Sequence, residues 1–233
     1  VLDTVLEQNN GRLAVVYGIG GNNTAGLAVL FQNLPSGVDG ILSVSPYYNK
    51  PIQKGIVAHF KQVASYTDLP IILYNVPGRT GSNMSVETTL ELAELPNVVA
   101  VKEASGNMEQ IMDIIRQRKP GFGVLSGDDN LTMPLLAAGA DGVISVVANA
   151  FPERFSQMVH ASIAADLTLA KAAHYDLFNV TKMFFEEGNP GGVKVALAAR
   201  GLMQETMRLP LYPISEGLRT RIQAETTRLL ASL

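Results

Sequence analysis

Six short apolar runs, each separated from the next by a segment of helical character, constrain this chain more than any other feature. They begin near Leu13 (LAVVY), Gly40 (GILSV), Ile71 (IILYN), Val98 (VVAVK), Gly123 (GVLSG) and Gly142 (GVISV), at spacings of 27, 31, 27, 25 and 19 residues. Each interval has room for one helix, such as residues 53–65, 85–95 and 108–118, and Ser85 is placed to cap the second of these. Strands that alternate with helices must be joined by crossovers, which predicts a parallel sheet. Nearly every run is apolar throughout, as strands are when both faces are covered. After Ala150 the strand signals stop. Residues 151–233 read as helices broken at 188–192 and 209–213. The chain therefore divides into a barrel-like part, residues 1–165, and a C-terminal helical region, residues 166–233.

Six β/α units fit two folds. A TIM barrel has eight, and a doubly wound sheet manages with five or six. The polar residues that follow the strands favour the barrel, because they come from several strand ends: Tyr47-Tyr48-Asn49, Tyr74 with Arg79, Lys102, Asp128-Asp129 and Ser145. Val1–Glu7 reads as the inside of an amphipathic helix with no cap before it. The expectation is a chain that starts within a domain.

Composition excludes several classes of function. Apolar residues make up 47% of the 233 and charged residues 17%, which supports a large core. A net charge of −3 gives no basic footprint for nucleic acid. The chain contains no cysteine, which excludes disulfides and thiolate chemistry. No apolar run reaches the roughly 18 residues of a membrane span.

Lys102 is the leading candidate for chemistry. It follows Val98-Val99-Ala100-Val101 in a run that should be buried. Lysine is rarely buried without a partner or a task, and desolvation favours the free amine that attacks ketones. The plainer alternative is a lysine paired with Glu103 or a helix end. Tyr74 and Arg79 lie in and just after another such run. An amine, a phenol and a guanidinium at strand ends suggest Schiff-base chemistry on a carboxylate-bearing substrate, although each residue alone has a structural explanation. Tyr47-Tyr48 fit either a subunit contact or a packed turn. Gly18-Ile19-Gly20-Gly21-Asn22-Asn23 fails the dinucleotide pattern at Asn23 and reads as a tight turn. Asp129 or Asn130 should cap a helix over residues 131–138. His59, His160 and His174 lack paired spacing, so no metal ligand is assigned.

Beyond these local readings, the chain resembles the dihydrodipicolinate synthase family, in the pyruvate-dependent N-acetylneuraminate lyase superfamily. The segments that carry the resemblance are SPYYNKP (Ser45–Pro51), LYNVPGRTG (Leu73–Gly81), VVAVKEASGN (Val98–Asn107), LSGDD (Leu125–Asp129), GADGVISVVAN (Gly139–Asn149) and GNPGGVK (Gly188–Lys194). The resemblance implies a TIM barrel with a C-terminal helical region. It implies condensation of pyruvate with aspartate semialdehyde in lysine biosynthesis. The expected setting is a cytoplasmic homotetramer, a dimer of dimers, with no cofactor, metal, nucleic acid or membrane. By resemblance Lys102 forms the Schiff base, Tyr74 relays protons, and Tyr48 reaches across a dimer interface into the neighbouring site. Arg79 binds the carboxylate of the second substrate, and backbone groups at Gly127 and Ile144 lie near pyruvate. Asn22 and Tyr47 match an allosteric lysine site, but Gly26 stands where lysine-inhibited members carry an acid, so weak feedback is expected. The family's first two strands and their Gly-Thr-Thr-Gly-Glu motif have no counterpart here, so these residues alone are expected to fold poorly and be inactive. The alternatives are a sibling pyruvate aldolase and a catalytically incompetent fragment.

Overall fold

A computed structural model describes residues 1–231. The helical reading of Ser232 and Leu233 lies outside the described residues. The chain forms two compact units, one of Val1–Gly127 with Ala138–Asp141, the other of Asp128–Ala137 with the chain from Gly142 onward.

The first unit alternates helix and strand: α1 (Leu2–Asn9), β1 (Val16–Gly18), α2 (Thr24–Gln32), β2 (Gly40–Val44), α3 (Gln53–Ala64), β3 (Ile71–Asn75), α4 (Pro77–Thr80), α5 (Val86–Ala93), β4 (Val98–Glu103), α6 (Met108–Gln117) and β5 (Gly123–Ser126). Its strands pair in parallel and in sequence order, β1 to β5. A doubly wound sheet reverses its order at a switch point, whereas a barrel wall runs straight through, so this order decides for the barrel. One face of the sheet buries Ile41, Leu73, Val101 and Val124 completely, and Ile56, Phe60, Leu92 and Ile114 of the helices are buried as fully. Side chains cap the helices where their sequence permits: Ser85 accepts from Thr88 N–H, and Asn107 from Gln110 N–H.

The second unit is mainly helical. A 3-10 turn (Asp129–Leu131) enters α7 (Thr132–Ala137). β6 (Gly142–Val143) and another 3-10 turn (Val147–Asn149) precede α8 (Pro152–Ile163), α9 (Leu167–Glu186), α10 (Gly191–Ala199) and α11 (Glu216–Leu230). Its core gathers Phe151, Phe155, Leu177, Phe184 and Ile222, with Phe151 and Phe184 stacked at 6.3 Å. The breaks fall where the sequence places them, between α9 and α10 and between α10 and α11. No helix among the described residues is long and apolar enough to cross a membrane.

Two strands are shorter than their apolar runs. Leu13 exchanges both backbone groups with the Asn9 side chain, at 3.0 and 2.6 Å, so β1 starts only at Val16. At the other end, the N–H groups of Val146 and Val147 donate to Asp129 Oδ2, both at 3.1 Å, which pulls the GVISV run out of strand after Val143. Asp129 thus lies within its 3-10 turn instead of preceding a helix, and α7 starts at Thr132.

Candidate active site

Parallel register places Val44, Tyr74, Lys102 and Leu125 in one row across β2, β3, β4 and β5. Residues in register share a face. Lys102 is only 9% exposed, and its Nζ lies 4.3 Å from the centroid of the Tyr74 ring. Each is the second-to-last residue of its strand, so amine and phenol meet at the C-terminal edge of the sheet, where barrel enzymes keep their chemistry.

Gly127, the residue after β5, closes a third side. Its N–H donates to the Glu103 carbonyl at 2.7 Å. A Cβ there would stand 3.0 Å from Lys102 Cε and 2.7 Å from Ala104 Cβ. Glycine is what lets β5 run this close to the lysine side chain.

The loops after β2 and β3 carry the remaining candidates of this unit. Pro77 at the first helical position and Gly81 in left-handed conformation bound the single turn of α4. Arg79 sits exposed on that turn, with no hydrogen bond or ion pair to its guanidinium among the described residues. Tyr48 N–H donates to the Thr80 carbonyl at 3.2 Å, which ties the Tyr48 loop to the Arg79 turn. Tyr48 itself is 86% exposed, with φ at 73°. Asn22 Nδ2 donates to the Tyr47 carbonyl and Asn49 Nδ2 to the Asn22 carbonyl, both at 3.1 Å, so Asn22 and Tyr47 are joined. Gly26 is in the first turn of α2, its N–H held by the Asn23 cap. Ile144 belongs to the second unit, half-buried just after β6.

The histidines have structural surroundings. His59 Nδ1 pairs with Thr24 Oγ1 at 2.8 Å, His160 approaches Ser156, and His174 packs edge-on against Tyr175 and Phe178. No group of three metal-binding side chains occurs among the described residues. The sequence reading gave Asn75 no part and Glu103 only that of a possible partner for Lys102. Both are fully buried directly after Tyr74 and Lys102, on the other face of the sheet. A polar pair at the ends of two buried strands was the available signal.

Comparison with known proteins supports the resemblance read from the motifs. The model of the dihydrodipicolinate synthetase family matches residues 1–229. The 4-hydroxy-tetrahydrodipicolinate synthase of Flavobacterium psychrophilum is 46% identical over 231 residues, covering 98% of this chain and 79% of the relative. That of Parabacteroides distasonis is 48% identical over 215 residues, covering 91% and 72%. Among solved structures, the chloride-inhibited dihydrodipicolinate synthase from Acinetobacter baumannii, complexed with pyruvate, superposes with a TM-score of 0.94 at 38% identity. The match covers 98% of this chain and 79% of that one.

Proposed function

The chain belongs to the dihydrodipicolinate synthetase family, and from that premise we propose that it condenses pyruvate with L-aspartate 4-semialdehyde to 4-hydroxy-tetrahydrodipicolinate, a step of lysine biosynthesis. The observation that carries this reading is the Lys102 amine over the Tyr74 ring at the end of two buried strands.

The chemistry follows from these groups. The Lys102 amine adds to the keto carbon of pyruvate, and loss of water gives an iminium. That iminium draws electrons from the adjacent methyl, whose proton leaves to give an enamine. The enamine carbon attacks the aldehyde carbon of the semialdehyde, and the new oxyanion takes a proton. The substrate's own amine then adds to the iminium carbon and expels Lys102, which closes the ring and restores the enzyme. One water is released in the whole cycle. Tyr74 is the nearest phenol to move these protons. Arg79, exposed on α4 and without an ion pair among the described residues, is suited to bind the carboxylate of the semialdehyde as a fork of donors. Gly127 would offer a backbone group to pyruvate. The family works through a covalent lysine imine and needs no external cofactor. The named relatives cover most of this chain and favour an active synthase over an incompetent fragment. We place the enzyme in the cytoplasm as a homotetramer, with Tyr48 reaching into a neighbouring site.

The test is chemical. Incubation with pyruvate, borohydride reduction and digestion should yield one adduct, on Lys102, and added semialdehyde should be consumed with pyruvate. An adduct on a different lysine, or turnover of sugar-acid aldehydes in preference to the semialdehyde, would refute the assignment.

A further inference from the structure

We propose that Asn75 and Glu103 form a positioning pair that fixes the Lys102 amine against the Tyr74 phenol from the far side of the sheet. This rests on the reading of Lys102 as the imine-forming residue and deepens it. Side chains alternate along a strand, so Asn75 and Glu103 face away from Tyr74 and Lys102. They are in register with each other, as Tyr74 is with Lys102 one residue earlier.

Both are fully buried and densely bonded. Asn75 Nδ2 donates to Glu103 Oε1 across the two strands and to Asn83 Oδ1 at 2.8 Å. Asn75 Oδ1 accepts from Met84 N–H at 3.0 Å. Glu103 Oε2 accepts from Ser105 Oγ at 2.6 Å, and Oε1 from Gln110 Nε2 at 3.4 Å. Asn83 and Gln110 join through a 2.8 Å bond that links the approach to α5 with α6. Two backbone bonds grip the same place: Ala104 N–H to the Asn75 carbonyl, and Gly127 N–H to the Glu103 carbonyl.

Stability alone does not account for this pair. Preceding positions on that face, Leu73 and Val101, are apolar and fully buried. Replacing a buried polar network by well-packed apolar side chains is often neutral or stabilising, so such networks are better explained by the geometry they specify. Here the geometry needs specifying, because the β3–β4 register shifts between Ile71 and Ile72. The Asn75–Glu103 bond locks the pairing after that irregularity, one residue from the amine and the phenol.

The experiment measures borohydride trapping of pyruvate on Lys102 against pyruvate concentration, with thermal unfolding in parallel. Glu103→Gln turns a donor toward Ser105 Oγ where the carboxylate accepted from it, and Asn75→Asp sets two carboxylates facing each other. Each should lower the limiting trapping rate about tenfold or more while half-saturation moves by less than about threefold. The double variant Asn75→Asp/Glu103→Gln restores one donor and one acceptor with roles exchanged, and should return the rate to within about threefold of the parent. Should the single variants not fold, Ser105→Ala decides, with an expected loss of about two- to fivefold in limiting rate. A parent that traps pyruvate beside folded single variants that trap at the parental rate would overturn the pair's role, as would a double variant no better than the singles. A parent that traps nothing on Lys102 would overturn the imine reading, and this proposal with it.

Discussion

Lys102 is constrained from three directions: by the strand that carries it, by the Tyr74 ring, and by the gap at Gly127. The gap gives a sharp prediction. An alanine methyl at Gly127 would press on Lys102 Cε and Ala104 Cβ, and overpacking of this kind costs about 1–3 kcal/mol. A small displacement of a reacting group can cost up to about a hundredfold in rate. Gly127→Ala should therefore slow pyruvate trapping by roughly tenfold or more, measured beside thermal unfolding. Trapping at the parental rate would show that this gap does not place the amine. Arg79 gives a second prediction, with the opposite signature. Arg79→Ala should leave pyruvate trapping unchanged and cut kcat/KM for the semialdehyde by roughly 30- to 150-fold, the equivalent of about 2–3 kcal/mol of charge-assisted contact. Unaltered semialdehyde kinetics would remove Arg79 from the site. Lys102 stands out in the sequence because lysine is rarely buried, whereas Tyr74 and Arg79 draw attention only by standing at strand ends beside it. For Asn75 and Glu103 the sequence shows only polar residues ending two buried runs, and that they pair depends on cross-strand register, which composition and spacing do not specify.

Elements were legible where apolar periodicity acts alone and were misjudged where a side chain competes with the backbone. β2 and β3 match their runs because nothing local diverts them. β1 and β6 are cut short by Asn9 and Asp129, whose side chains take backbone groups that a ladder would have used. Helix packing carries a pH prediction of its own. His59 of α3 is buried against Thr24 of α2, and burial holds its pKa below the usual value near 6.5. Burial does the same to His174 on α9. Such a group binds fewer protons folded than unfolded, so its contribution to stability is whole above about pH 6.5 and is lost as pH falls through that value toward the lower folded pKa. The melting temperature should therefore fall between pH 7 and pH 5, and His59→Gln should flatten part of that slope. A variant with the parental slope would show that folding leaves the His59 pKa where it stands in the unfolded chain.

At the scale of the whole molecule, the alternation of runs revealed the class of fold but not its order. The polar residues at several strand ends favoured a barrel wall over a doubly wound sheet, and the pairing of β1 through β5 in sequence order agrees. The extent of each compact unit was hidden as well. Ala138–Asp141 belongs with the first unit, where Arg118 bonds the Asp141 carboxylate and the carbonyls of Gly139 and Phe122. No local pattern marks such a tie. The last prediction concerns assembly. Tyr48 is a large aromatic residue, 86% exposed, on a backbone with φ at 73° that non-glycine residues seldom adopt. The strain is offset locally by the bond from Tyr48 N–H to the Thr80 carbonyl, which presents the ring outward from the loop beside Arg79. Rigid, outward tyrosines are typical anchors of protein interfaces, where truncation often costs about 2 kcal/mol or more. Sedimentation velocity should find the parent as a particle of four chains, and Tyr48→Ala should shift it toward smaller species and lower the condensation rate. Tyr48→Phe, which keeps the ring, should assemble as the parent does, so any rate it loses belongs to the hydroxyl. A parent that sediments as a monomer at full condensation rate would show that Tyr48 serves no neighbouring subunit.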